Sequence, residues 1–172
     1  FDTYDNDGTS LALGRSSGGN GTVLVTGANS SLSIIDDEYA TVIGGDGNGT
    51  FTVANGGYFY DNAYDDNNVA IYLGQNVTGN GTLTVTGDGS SLYNDEGSVV
   101  VGDDGTGTMN IANGGSVDIS ADDGEGLGLV LGGDVGAMGN VTVSDVESVS
   151  GNSSTLTVEE GTTVVGGYGN GT

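Results

Sequence analysis

The sequence predicts an all-β protein that forms a single parallel β-solenoid of about six turns, with about 30 residues in each turn. Two observations lead to this prediction. A short segment of alternating apolar and hydroxyl side chains recurs along the chain, and an apolar run that ends in glycine accompanies each copy. Self-similarity with a period of roughly 20–50 residues is typical of solenoids, propellers and repeat arrays. One such strand cannot bury its apolar face alone, so the copies are expected to stack.

The alternating segment is clearest at residues 79–87, which have the sequence GNGTLTVTG. Because successive side chains of a β-strand point to opposite faces, this segment has apolar side chains on one face and hydroxyls on the other. Related segments begin at Gly21, Gly49, Gly107 and Gly139. Their apolar members are expected to line one inner wall of the solenoid: Phe51, Val53, Leu83, Val85, Met109, Ile111, Val141 and Val143.

The second marker is the apolar run that ends in glycine. The six marker glycines follow one another at intervals of 28 to 34 residues: Gly14, Gly44, Gly74, Gly102, Gly132 and Gly166. The residues before them are expected to line a second inner wall: Leu13, Ile43, Leu73, Val101, Leu131 and Val165. The next alternating segment opens seven or five residues after each marker glycine, in strict alternation. Two kinds of turn, A with the longer step and B with the shorter one, therefore alternate in a unit of about 60 residues.

Each turn is expected to contain three short strands that are separated by corners rich in Asn and Gly. In one B turn the predicted strands are residues 50–54, 58–61 and 69–73. Asn and Gly tolerate the left-handed backbone conformations that sharp corners require. Turns stacked about 4.8 Å apart would pair each strand with its neighbours. A β-propeller is the main competing fold, but a blade needs about 40–50 residues, so the solenoid is favoured.

Residues 1–172 are predicted to be one repeat domain, either a segment of a longer array or the subunit of a filament. The chain starts at Phe1 with a segment that matches the second strand of a B turn, and it stops at Thr172, where another B turn would open. Neither end has a recognisable polar cap, and open strand edges recruit further strands. We therefore expect the chain to continue, or to associate with its own copies head to tail.

The composition argues against several classes of function. One basic residue, Arg15, stands against 24 acidic residues, and the formal net charge is -23. Nucleic acid is not an expected partner, because phosphate binding needs clustered Lys and Arg. No stretch approaches the ~18 apolar residues of a membrane span. Lyase chemistry on a β-helix would need a basic residue as base or electrostatic stabiliser, and a chain with one Arg and no Lys or His does not supply a convincing site. Glycoside hydrolysis would need a pair of carboxylates, and no pair stands out among the acidic residues. The protein is therefore predicted not to be an enzyme and to require no cofactor.

The repeat resembles a known class of bacterial surface repeats. The residues that carry the resemblance are the Val-Gly marker, the Gly-Asn-Gly-Thr turn, the Thr-Val strand and the closing Thr-Gly or Ala-Asn-Gly-Gly. This pattern is similar to the repeat shared by autotransporter passenger domains and PEP-CTERM-type surface proteins, and it covers essentially residues 11–172. The resemblance implies a right-handed β-helix that is displayed or released outside a bacterial cell. It implies no catalytic residues.

Acidic residues cluster between the second and third strands of successive turns, so they are expected to lie near one another at one corner. Oxygen-rich corners of this kind are where Ca²⁺ binds. A solvated acidic edge without bound metal is the alternative interpretation. The candidate calcium ligands are Asp36, Asp37, Asp65, Asp66, Asp95, Glu96, Asp122 and Asp123.

The predicted function is structural: an extracellular stalk or filament on a bacterial surface, with adhesive contacts through its sides as an option. Its expected partners are further copies of the repeat, and host or matrix glycans. The alternative is a carbohydrate-binding or ice-binding module. That module would use the outward Thr residues, such as Thr50 and Thr82, or the aromatic group of one B turn: Tyr58, Phe59, Tyr60, Tyr64 and Tyr72.

Overall fold

The computed structural model describes residues 9–36, 38–121, 126–145 and 152–172, and all regular structure in these residues is β-strand. The strands, in chain order, are β1 (Leu11–Leu13), β2 (Asn20–Thr26), β3 (Ser31–Asp36), β4 (Thr41–Ile43), β5 (Asn48–Ala54), β6 (Tyr58–Ala63), β7 (Val69–Leu73), β8 (Asn80–Thr86), β9 (Ser91–Asn94), β10 (Ser98–Val101), β11 (Thr106–Ala112), β12 (Ser116–Ile119), β13 (Leu127–Leu131), β14 (Met138–Ser144), β15 (Thr155–Val158), β16 (Thr162–Val165) and β17 (Asn170–Gly171).

Every third strand belongs to the same parallel sheet, so the chain coils through three sheets in about five turns. Sheet 1 contains β1, β4, β7, β10, β13 and β16, and sheet 2 contains β2, β5, β8, β11, β14 and β17. Sheet 3 contains β3, β6, β9, β12 and β15. The predicted all-β parallel solenoid is confirmed. The three strands predicted for one B turn correspond to β5, β6 and β7, with boundaries that differ by two residues at most.

The expected inner walls are present wherever a further turn covers them. Sheet 2 pairs in register, with Phe51 opposite Leu83 and Leu83 opposite Met109, and these side chains are completely buried. Two predicted wall residues are exposed, Val143 at 45% and Val165 at 59%, and Val141 is only partly buried. All three lie in the last described turn, where β17 covers only the first two residues of β14 and no described strand pairs beyond β16. Their exposure therefore reflects the missing neighbour and not their direction.

The marker glycines are required by the backbone geometry at the corner between sheets 1 and 2. All six have positive φ, between 65° and 78°. This left-handed region suits glycine because it has no Cβ. A Cβ on Gly74 would also overlap the backbone of Thr106 in the neighbouring turn. The glycine that ends each apolar run is thus fixed both by conformation and by the close approach of stacked corners.

The alternation of A and B turns has a structural basis at the corner between sheets 2 and 3. Asn55, in a B turn, has a φ of 53° and donates from Nδ2 to Thr26 Oγ1 of the preceding A turn, at 3.1 Å. The N–H of Gly56 donates to Ser90 Oγ of the following A turn, at 3.0 Å. Each B corner is therefore bonded to the A turns on both sides. The next unit repeats both bonds, Asn113 to Thr86 and Gly114 to Ser154.

Candidate functional site

The candidate calcium ligands do not all fall in the described part of the chain. Asp37, Asp122 and Asp123 lie outside it, and Asp36 is the last residue of β3. Asp65 lies in the loop between β6 and β7, where Oδ1 accepts the N–H groups of Asn67 and Val69, at 2.9 and 3.1 Å. Its Oδ2 accepts the Tyr72 hydroxyl, at 3.0 Å. This carboxylate therefore orders its own loop against sheet 1.

Asp95 is bound by two tyrosines on the outer face of sheet 3. The Tyr60 hydroxyl donates to Oδ2 at 2.6 Å, and the Tyr93 hydroxyl donates to Oδ1 at 2.9 Å. The two rings stack with their centroids 6.0 Å apart. The bond to Asp95, together with burial, raises the pKa of Tyr60 to about 12. Asp95 thus fastens two neighbouring turns together through phenol–carboxylate bonds.

The acidic residues of the two described loops, at 64–68 and 95–97, are not placed equivalently, because these loops differ in length. Residues 64–68 separate β6 from β7, whereas residues 95–97 separate β9 from β10. Asp66 borders a surface hollow that also contains Arg15 and Glu38, while Glu96 contributes a carbonyl oxygen to the Asn94 amide. Within the described residues, no group of three or more acidic, His or Cys side chains is arranged to hold a metal ion. Calcium binding at this corner stays a prediction.

The outward face of sheet 2 carries two stacked columns of mainly hydroxyl side chains. The register aligns Thr22, Thr50, Thr82, Thr108 and Asn140 in one column. The second column contains Leu24, Thr52, Thr84, Asn110 and Thr142. Leu24, whose side chain is mostly exposed, interrupts the hydroxyl surface. The face is therefore regular in spacing but mixed in chemistry.

The aromatic residues of the B turn are divided between the interior and the surface. Phe59 is completely buried and stacks on Phe51, with ring centroids 4.5 Å apart. Tyr58 is partly exposed on the outer face of the same strand. Tyr72 lies on the outer face of sheet 1 and is almost fully buried. The group that the sequence suggested as one aromatic surface is thus distributed over three environments.

A second apolar cluster lies on the outer face of sheet 1, which sequence reasoning did not identify. Its members are Ala40, Val42, Val69, Tyr72, Val100 and Val130, with Val164 packed against them. The signal was present in the contiguous apolar runs of sheet 1, since a strand that is buried on both faces need not alternate. Five of these residues, Val69, Tyr72, Val100, Val130 and Val164, form the floor of a groove of about 520 Å³ on the surface of the solenoid.

Carboxylates lie along the edge of this groove. Asp103 and Asp134 line it directly, next to the stacked corners that follow β10 and β13. Burial, followed by repulsion from Asp104, Asp134 and Asp65, raises the pKa of Asp103 to about 6. Burial and the nearby Asp65 and Asp103 also raise the pKa of Tyr72. The groove therefore combines an apolar floor with a concentration of negative charge.

One carboxyl group lies inside the solenoid itself. Asp61 is completely buried, and sheet 3 aligns it with Ile34 on one side and Asn94 on the other. Burial raises its pKa to about 7, although the Thr41 hydroxyl and the Ala63 backbone act in the opposite direction. Neither Asp61 oxygen has a hydrogen bond of normal geometry within the described structure, and the same holds for Thr41 Oγ1 and Asn94 Oδ1.

No protein family model matches the chain, and no curated protein or solved structure is detectably similar to it. The described residues include no helix with the length and apolar character that a membrane crossing requires. The fold thus defines the class, a parallel β-solenoid built from two-turn units. The similarity of its repeat to autotransporter and PEP-CTERM-type surface repeats stays a prediction.

Proposed function

We propose that this protein is a structural, non-enzymatic β-solenoid that forms a stalk or filament outside a bacterial cell. The observation that supports the proposal is the parallel stacking of all three sheets, with continuous register along sheet 2, which makes each turn the template for the next. In repeat proteins of this kind, each unit contacts only its neighbours, and stability is close to a sum over units and interfaces. Such a molecule gains length by adding units and needs no change in fold.

The corner bonds favour a rod that is built in whole units of two turns. Each B corner donates to the A turn before it through Asn55 and to the A turn after it through Gly56. An A turn in place of a B turn would lack both donors in the required position. A continuous apolar interior runs through the same stack, from Leu13 to Leu131. These features suit a spacer that carries load or sets a distance.

Insertion of one unit tests the structural role. A second copy of residues 44–101, placed after Val101, adds one B turn and one A turn at equivalent corners. Two turns at a spacing of ~4.8 Å should lengthen the rod by about 10 Å without changing its cross-section, as measured by small-angle scattering. A variant that unfolds, or that grows in width instead of length, would contradict the modular rod. Antibody labelling of intact cells that make the native protein tests the surface location.

The outward hydroxyl columns of sheet 2 favour a second candidate, a carbohydrate-binding or ice-binding face. Strand pairing repeats Thr50, Thr82 and Thr108 at the spacing of the solenoid turns. An ice-recrystallisation assay and a glycan array test this candidate directly. A Thr82→Tyr variant serves as the control, because a bulky side chain would disrupt the flat surface while its outward position leaves the interior unchanged. Activity that Thr82→Tyr abolishes would favour the binding module over the structural role.

A further inference from the structure

The groove on the outer face of sheet 1 has the features of a binding site, and it is independent of the structural role proposed above. Its floor is apolar and consists mainly of Val69, Tyr72, Val100, Val130 and Val164. Val69, Tyr72, Val100 and Val130 are themselves largely buried, and the exposed apolar surface of the groove comes mainly from Leu127 and Tyr168. Exposed apolar patches of soluble proteins commonly mark interaction sites. A volume of about 520 Å³ lies within the range of pockets that hold small ligands or short peptide segments.

The charge around the groove selects the kind of ligand. Asp103 and Asp134 line the groove, and Asp65 is held beside it through its bond to Tyr72. Asp103 is half-buried, so its negative charge is poorly solvated, and the neighbouring carboxylates oppose it further. A positive group bound there would compensate this charge. An acidic ligand, or a neutral apolar ligand, would gain no electrostatic stabilisation from these carboxylates.

The arrangement of the carboxylates favours an organic cation over a metal ion. Ca²⁺ needs six to eight oxygen ligands that converge on one point. Among the described residues no three acidic side chains converge in this way, and both Asp65 oxygens already accept hydrogen bonds. A Lys or Arg side chain needs only one or two carboxylates, and its aliphatic stem can pack on an apolar floor.

We propose that this groove binds an extended peptide segment that combines Lys or Arg with aliphatic side chains. The floor crosses the four strands β7, β10, β13 and β16, which span about 14 Å at a strand spacing of ~4.8 Å. An extended peptide rises about 3.3 Å per residue, so four or five residues fill the groove. The partner segment differs in composition from residues 1–172, which contain only one basic residue, Arg15.

A titration with designed peptides tests the proposal. The probe is the acetylated and amidated pentapeptide Leu-Lys-Leu-Lys-Leu, measured by isothermal calorimetry with the purified chain at about 0.15 M salt, where long-range attraction is screened. Saturable binding of one peptide per chain is expected. A peptide with Ser in place of Leu keeps the charge and loses the apolar contacts, and one with Gln in place of Lys does the reverse. Each is expected to bind at least tenfold more weakly.

Two variants with equal net charge locate the site. The double variant Asp103→Asn/Asp134→Asn removes two charges at the groove and should weaken binding of the probe at least tenfold. The matched control, Asp88→Asn/Asp118→Asn, removes two charges elsewhere, because Asp88 is exposed at another corner and Asp118 points outward from sheet 3. The control should change the affinity less than twofold. Val164→Thr alters the floor with almost no change in shape and should weaken binding about threefold.

The outcomes distinguish a site from general attraction to an acidic protein. Equal loss of affinity in the two double variants would mean that the peptide responds only to net charge, and this would overturn the proposal. Equal binding of the Leu and Ser peptides would overturn it as well, since the floor would then make no contribution. Melting curves of each variant confirm that it is folded. Absence of saturable binding to the folded native chain would also refute the site.

Discussion

The buried carboxyl group of Asp61 gives the strongest prediction, a stability that falls as pH rises. A carboxylate in an apolar interior without hydrogen bonds of normal geometry is costly, so the protonated form is preferred in the folded state. When protonated, Asp61 can donate its O–H to Asn94 Oδ1 or Thr41 Oγ1, two buried oxygens that lack a donor in the described structure. Among the described residues Asp61 is the only carboxylate that is fully buried. Asp103, whose pKa is raised to about 6, changes stability in the same direction, so a substitution is needed to isolate the contribution of Asp61.

The direction and size follow from the two pKa values. The pKa of Asp61 is 3.8 in its ordinary state and about 7 in the folded protein. Between these values the folded state binds a proton that the unfolded state has lost, so the free energy of unfolding decreases with pH. A difference of about 3 units corresponds to about 4 kcal/mol. This stabilisation is fully present below about pH 4, decreases through the interval, and is lost above about pH 7.

The substitution Asp61→Asn isolates this contribution. An amide has nearly the same shape, can donate to the same oxygens and carries no charge at any pH. The variant should match the native protein within about 1 kcal/mol near pH 4 and exceed its stability by about 2–4 kcal/mol near pH 8. Urea unfolding followed by circular dichroism between these pH values measures the difference. The matched control is Asp88→Asn, whose exposed side chain should leave the pH profile unchanged.

The comparison of profiles decides whether the reasoning holds. The other 23 acidic residues also affect stability as pH changes, but they are common to the native protein and Asp61→Asn, so they cancel in the difference. Parallel pH profiles for the two proteins would refute the buried, protonated carboxyl. A native protein that becomes more stable than Asp61→Asn as pH rises would show that Asp61 has a positive partner when charged.

Three further predictions concern residues in the corners or beside them. Gly81→Ala should lower stability by about 3 kcal/mol or prevent folding, because its Cβ would overlap the Ile43 carbonyl oxygen. The control Gly18→Ala, at a position with positive φ and open space, should cost only about 1–2 kcal/mol. Thermal melts that show equal losses for the two variants would contradict the steric argument. Ser90→Ala removes the acceptor of the Gly56 N–H and should lower the free energy of unfolding by about 1–3 kcal/mol. The control Ser33→Ala, at an exposed position, should lower it by less than about 0.5 kcal/mol in the same melts. If the acidic corner binds calcium, the melting temperature should be higher in Ca²⁺ than in chelator at constant ionic strength, and identical curves would argue against a site.

The local repeat was sufficient to predict the parts of the fold that each turn determines for itself. Alternation in residues 79–87 identified β8 and the direction of Leu83 and Val85, because the pleat allows only one apolar face. The marker glycines likewise identified the corners, since positive φ is a local requirement. The same alternation put Asp61 on the inner face with Phe59, a signal in the sequence that was not used.

Tertiary structure decided what depends on which neighbour a turn receives. Val143 and Val165 have the inward pattern, but their exposure depends on whether another turn covers them. Asp65 and Asp95 occupy similar places in the repeat, yet their loops differ in length and their carboxylates bind different tyrosines. The groove on sheet 1 exists because residues on four strands, from Tyr72 to Val164, come together only when the turns stack. A repeat thus encodes the direction of each side chain locally, whereas burial, charge density and binding surfaces arise from the stacking of turns.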